Sequence, residues 1–383
     1  MFEELLDGAR VGGERGALRI RAIYQPTGGS GAKVSPPTYP NDTKYITEKR
    51  YLGGELTETV LIDAVQSQAN RVEEALIDAV DDGIVALPYL VTEADINGVH
   101  FRVTSLDAPH RSPDAYFRDS ETADGTAFDA SDVGRALRAA DERSARALYR
   151  HSPVDLTLGM WDSQRGGRGL RLPRAYTSEM IGVSPSRGAR AAGRLDPYNI
   201  PTTEVFLAEG DPTHWSLNSA DIKGKSKKGK TSNVNHGNAL ASDAPGGFAV
   251  AEVQRLAVVS LKVLRRLRFP DGDQRSPDVD AAARTVLAAL TIMGDRLAFS
   301  DSTLFLRSGC DLSLVSESAQ WVGRGEPISV PLPSPGDAIA LFKQAVDHAA
   351  SLGLEFAEPV LLRPKANLHA LLALSFSTPA QED

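Results

Sequence analysis

Leu18-Arg19-Ile20-Arg21-Ala22-Ile23-Tyr24 alternates between apolar and polar positions, which predicts a strand with Leu18, Ile20 and Ala22 on one face. Arg19 and Arg21 then stand on the other face and bring two guanidinium groups to a sheet surface. The strand runs into Gln25-Pro26-Thr27-Gly28-Gly29-Ser30-Gly31-Ala32-Lys33, a glycine-rich loop, and Pro36-Pro37 forbids a helix just beyond it. From Thr59 to Val80 the spacing of Leu61, Val65, Val72, Leu76 and Val80 predicts one amphipathic helix, with Ser67, Gln68, Asn70 and Arg71 largely off its stripe. Further helices are predicted over Ala249 to Leu267 and Asp278 to Met293, and a strand over Leu297 to Leu306. Ser334-Pro335-Gly336-Asp337 supplies an N-cap, a first-turn proline and a first-turn acid for a helix over Ala338 to Leu352, which Gly353 ends. The tail from Pro359 to Phe376 is apolar and strand-like in places.

Strands interspersed with helices around a split middle predict an α+β fold of the ferredoxin or RNA-recognition type, with a sheet face free for a ligand. The 383 residues are read as a single elaborated domain. An acidic insertion over 107–132 and basic, Gly-rich insertions over 161–247 are expected to project from its core. The apolar runs are too short to cross a bilayer and the acidic start is unlike a signal peptide, so the cytosol is the expected location. Cys310 is the lone cysteine and no Cys/His spacing suits zinc, so no metal or cofactor is expected.

A net charge of −8 argues at first against a nucleic-acid partner, but its distribution reverses that reading. Trp161 to Leu195 holds seven arginines (Arg165, Arg168, Arg171, Arg174, Arg187, Arg190, Arg194) against two acids, Asp162 and Glu179. Lys223 to Lys230 holds five lysines, Lys225, Lys227 and Lys228 among them, and no acid; Asp107 to Asp132 holds seven acids against two arginines. Basic loops of this kind can track a polyanion, and Arg165-Gly166-Gly167-Arg168 has the Arg/Gly character of nucleic-acid segments. Each reads equally as a solvated loop. Gly224-Lys225-Ser226-Lys227-Lys228-Gly229-Lys230-Thr231 fits the phosphate-loop pattern literally, yet no buried strand precedes it and no amphipathic helix follows, so nucleotide hydrolysis is not expected. The histidines are scattered, and no catalytic set is assigned.

Tyr24-Gln25-Pro26-Thr27-Gly28-Gly29 running into Lys33-Val34-Ser35-Pro36-Pro37-Thr38-Tyr39, then Val65-Gln66-Ser67-Gln68-Ala69-Asn70-Arg71-Val72-Glu73, resembles the backbone subunit of the type I-G (earlier I-U) CRISPR interference complex, of the RAMP superfamily. Thr177-Ser178-Glu179-Met180-Ile181 resembles a further segment of that family. The resemblance implies a hand-shaped, modified RNA-recognition fold. Its copies would stack head to tail along CRISPR RNA, gripping the guide's backbone and kinking it with a thumb hairpin. Target DNA is then read by base pairing with the guide. Partners implied are CRISPR RNA, target DNA, further copies of the chain and other Cascade subunits, with no membrane and no catalysis. The alternative within the superfamily is an endoribonuclease. The expected RNA contacts are Arg19, Arg21, Gln25, Gly28, Gly29, Lys33, Ser67, Gln68, Asn70, Arg71, Arg165, Arg168, Arg171, Lys225, Lys227 and Lys228.

Overall fold

A computed structural model describes residues 1–29, 31–40, 44–163 and 169–377. After helix α1 (Phe2–Ala9), strand β1 (Arg15–Pro26) buries Leu18, Ile20, Ala22 and Tyr24 and leaves Arg21 and Gln25 exposed, as its alternation requires. Strands β2 (Thr47–Leu52) and β3 (Glu55–Asp63) form a hairpin leading directly into helix α2 (Val65–Asp81). The single helix expected from Thr59 is therefore two elements. Val60 and Ile62 are buried at period two, whereas Ala69, Val72, Leu76 and Ala79 are buried at the helical period.

A second hairpin, β4 (Leu90–Ile96) and β5 (Val99–Thr104), precedes α3 (Ala115–Arg118), the short β6 (Ser120–Glu121), α4 (Asp132–Ala139), α5 (Arg146–His151) and α6 (Pro153–Leu158). The acidic stretch lies here and differs from a projecting insertion, because Phe117 and Phe128 anchor it in the main core. Its acids are used locally: Asp114 accepts from the backbone N–H groups of His110 and Tyr116, and Asp129 pairs with Arg138.

Strands β7 (Met160–Asp162) and β8 (Leu170–Leu172) make a small hairpin, after which β9 (Tyr176–Val183) enters the main sheet. The basic region expected to project from 161 to 247 is thus split by a core strand. Only its second part leaves the sheet. There β10 (Ser186–Arg194) and β14 (Ala239–Ala249) pair as a long ribbon, which encloses a three-stranded sheet of β11 (Glu204–Ala208), β12 (Asp211–Ser216) and β13 (Ser226–Lys230).

Strand β15 (Glu252–Ser260) and the single-turn α7 (Leu261–Leu264) replace the helix expected over Ala249 to Leu267. Val253, Arg255, Ala257 and Val259 are buried alternately, and the flanking strands supply the ladder that makes this period win. Helix α8 (Pro277–Phe299) follows and is buried around most of its circumference. It runs through the residues expected to start a strand at Leu297, so β16 begins only at Thr303 (Thr303–Arg307) and pairs with β17 (Cys310–Gly323), which also carries β18 (Ile328–Val330). Helix α9 (Pro335–Ser351) has the expected start: Ser334 Oγ accepts from the Asp337 N–H at 3.1 Å, and Gly353 at φ +78° follows the end. The tail forms β19 (Val360–Pro364), parallel to β4, and helix α10 (Ala366–Ser377).

The fold is α+β. Its main sheet runs β16-β17-β1-β15-β9-β3-β2 with antiparallel neighbours. Within it, β1, α2, β9, β15, α8 and β17 succeed one another as β-α-β-β-α-β, with the fourth, first, third and second strands side by side. Helices α2 and α8 pack together against one face, beside Leu18, Ile20, Ala257 and Val259. The sheet curls enough that β16 meets β3: Leu306 joins Val60, Ile62 and Met180 in one cluster, and Arg307 bonds the Ile62 carbonyl at 2.9 Å.

Candidate nucleic-acid interface

The sheet face opposite α2 and α8 follows from strand parity. Arg19 lies between Val258 and Gln320, and Arg21 between Leu256 and Ser318, so their side chains share a surface with Thr177, Ser316, Ser318 and Gln320. Arg19 donates to Gln320 Oε1 at 2.6 Å, and its Nε is buried without a partner among the described residues. Arg21 is exposed and has no hydrogen bond or ion pair among the described residues. The contrast along the same face is Arg50, held by both oxygens of Glu179 and also by Glu48. Arg50 is neutralised in place; Arg19 and Arg21 have no carboxylate partner among the described residues. On their β17 side lie hydroxyl and amide groups, the types that pair with phosphate oxygens and 2′-hydroxyls without reading a base, while Leu256 and Val258 flank them on β15.

Beyond the C-terminal end of β1 the glycine loop turns tightly, with the Gly29 N–H donating to Pro26 O and the Ala32 N–H to Gly29 O. Gly29 at φ +78° has open space where a Cβ would stand, so conformation rather than crowding calls for glycine there. Lys33 is exposed and stitches the loop to the ribbon by donating to Ala189 O at 3.2 Å, and Val34 bridges to Phe248. Arg187 sits 5.7 Å over the Tyr45 ring, and Arg190 is exposed nearby on β10. Lys33, Arg187 and Arg190 therefore gather at the base of the ribbon. There the backbones approach so closely that a Cβ on Gly246 would stand 2.2 Å from Gly188 O.

Helix α2 divides its expected contacts. Asn70 is exposed and Ser67 half-buried, but Gln68 is fully buried, which corrects its assignment as an RNA contact. Its Nε2 donates to Asp63 Oδ2 at 2.6 Å, while its Oε1 accepts from Ser178 Oγ at 2.7 Å and Arg255 Nε at 3.2 Å. Arg71 is also committed within the fold: it pairs with buried Asp63 at 3.0 Å and donates to Leu306 O, while Arg307 takes the other Asp63 oxygen at 2.9 Å. Two guanidiniums on one carboxylate clamp the curled sheet to α2.

Beneath them runs a polar seam that the sequence pattern did not reveal. Arg255 is fully buried, pairs with Asp295 of α8 and lies 3.7 Å over the Phe299 ring; Tyr176 OH donates to the same carboxylate at 2.7 Å. Burial pushes the Tyr176 hydroxyl far above its ordinary pKa. The only available signal was a charged residue amid the apolar positions of Val253 to Val259.

Elsewhere, Arg165 and Arg168 lie outside the described residues, and Arg171 is exposed on β8 opposite Trp161. The lysine segment expected to be a basic loop enters strand β13 from Ser226 onward. Lys228 pairs with Glu204 at 3.0 Å over the Phe206 ring, whereas the Lys225 and Lys227 side chains are exposed without partners among the described residues. The phosphate-loop pattern there forms a strand and a 3-10 turn, with no strand-to-helix cradle. Among the described residues no helix is long and apolar enough to cross a membrane, and no His/Cys/Asp/Glu group could hold a metal ion.

A family model described as CRISPR-associated protein GSU0053 matches residues 18–185, from within β1 to just past β9. No curated protein matches the chain. Over those residues, less than half of the chain, the protein is similar to this CRISPR-associated family.

Proposed function

We propose that this chain, similar over residues 18–185 to a CRISPR-associated family, holds CRISPR RNA by its sugar-phosphate backbone, as a repeated, non-catalytic subunit of a type I-G interference complex. The observation that carries this reading is the open sheet face, where Arg19 and Arg21 stand without a carboxylate partner among the described residues, beside the hydroxyl and amide groups of β17. The β-α-β-β-α-β succession with that face uncovered is the arrangement of RNA-recognition folds, which supports RNA over duplex DNA as the direct ligand. Lys33, Arg187 and Arg190 extend the positive track to the base of the β10–β14 ribbon, the element suited to the role of thumb. Protein contacts of this kind supply shape and charge, and the guide reads target DNA by pairing.

Copies growing head to tail along the guide form a heterologous, non-closing assembly. The acidic stretch is a poor candidate for that contact, since Asp119 already pairs with Arg118 and Glu121 lies beside Arg363. The test is to purify the protein without added nucleic acid and size what accompanies it. Intact RNA of uniform length is expected. Progressive shortening of added CRISPR RNA would overturn the non-catalytic role in favour of an endoribonuclease.

A further inference from the structure

A cavity of about 390 Å³ opens between the start of α2, the segment around Arg111 and the β7–β8 hairpin, remote from Arg19 and Arg21 in the sequence and built by other elements. That volume lies in the range of small-ligand sites, roughly 300–1,000 Å³. Its lining contains Arg111, Arg171 and Arg174 and, among the described residues, no carboxylate. Arg111 is held from behind: it donates to Glu73 at 2.6 Å and to Gly159 O at 2.8 Å, and its own backbone sits at φ +58°, a conformation that side chains other than glycine adopt at a cost. Arg174 has no hydrogen bond among the described residues, and its Nε is buried. Burial first, then the charge of Arg111, lower its basicity; Glu73 opposes them and Arg171 adds a smaller push in the same direction. Glu73 offsets Arg111, which leaves Arg171 and Arg174 as cations without a carboxylate partner among the described residues, and an orphaned buried N–H needs an acceptor. An anion answers both.

The rim identifies the rest of the ligand. Trp161 lines the same cavity, is 59% exposed and lies directly across the hairpin from Arg171. Its inward neighbours Met160 and Leu172 are buried, so the hairpin is seated on the core while the indole stays uncovered. A flat aromatic surface beside an arginine cluster fits a base joined to a phosphate.

We propose that this cavity is a second nucleotide site, which takes a nucleoside phosphate with its base on Trp161 and its phosphate between Arg171 and Arg174. The ligand can come as a free nucleotide or as one residue of a strand; the chemistry is shared.

The experiment follows Trp161 fluorescence and calorimetric binding with 5′-AMP, adenosine, inorganic phosphate and hexa-adenylate RNA, all in an Arg19→Ala/Arg21→Ala background that weakens the sheet face. Trp161→Phe identifies the part of the signal that belongs to the site. AMP is expected to quench, with adenosine and phosphate each binding at least about 10-fold more weakly. Arg171→Gln/Arg174→Gln should lower AMP affinity at least about 10-fold, and Trp161→Ala about 10- to 100-fold, with the thermal midpoint unchanged for the exposed Trp161. Tighter Trp161-dependent binding of hexa-adenylate names a strand as the source, and tighter binding of AMP names a free nucleotide. Absence of binding by both, or binding that Trp161→Ala leaves untouched, overturns the proposal. Neither result touches RNA retention by the sheet face.

Discussion

Gln68 separates a structural role from a ligand-binding one, because its sequence position on the polar edge of α2 suggested contact with RNA while its side chain is fully buried. Gln68→Ala removes three hydrogen bonds, two of them to the charged groups of Asp63 and Arg255 and one to Ser178. Hydrogen bonds to charged groups contribute about 1.5–3 kcal/mol each and a neutral one about 1 kcal/mol. Asp63 keeps Arg71 and Arg307, and Arg255 keeps Asp295, so the net loss falls near the bottom of that sum, at about 4 kcal/mol. With an unfolding entropy of about 2.1 cal/mol/K per residue, a chain of this length loses about 5 °C in thermal midpoint. Circular dichroism measures the midpoint, and RNA affinity is taken well below it, where a change under about 2-fold is expected. Gln68→Met keeps the volume and loses the hydrogen bonds, so it should fall nearly as far. A wild-type midpoint with RNA affinity down 10-fold would refute the reasoning, and full stability in Gln68→Met would refute its hydrogen-bond basis.

Burial raises the Asp155 carboxyl to about 6 despite its bond from Ser112. The folded chain therefore keeps a proton that the unfolded chain releases near its ordinary value of 3.8, and stability is lost as pH rises from there through about 6. Asp155→Asn should remove up to about 3 kcal/mol of that decline, read from urea unfolding between pH 4 and 7. Ser334→Ala deletes the α9 cap and should cost about 1 kcal/mol in the same assay, with Ser334→Asp restoring it. Purified protein should show no magnesium-dependent ATP turnover above background, with Lys230→Ala indistinguishable from wild type, because its segment forms strand β13.

The features legible in the sequence were those fixed by local rules. The alternation of β1 separated Leu18 and Ile20 from Arg19 and Arg21, and the start and end of α9 were written in Ser334, Pro335 and Gly353. Where apolar residues satisfied both periods, neighbours decided. Val253 to Val259 became a strand because β1 and β9 flank it, and Thr59 to Ile62 joined β3 through pairing with β2 and β9. Charge runs misled for a related reason, since a carboxylate's partner is set by tertiary structure: Asp129 meets Arg138 and Lys228 meets Glu204. The polar edge of α2 pointed at the right helix but could not tell Asn70, which is exposed, from Gln68, which sits three residues from Arg71 above the buried Asp63.

The most direct test of backbone recognition is the salt dependence of binding for two oligoribonucleotides of equal length and unrelated sequence, with wild type and with Arg19→Ala/Arg21→Ala. Both oligonucleotides should fall on one line of log K against log salt, and the double variant should flatten its slope by about 1.4, at about 0.7 per lost phosphate contact on a single strand. Lines that separate by sequence, or a slope unchanged in the double variant, would contradict the assignment of the open sheet face.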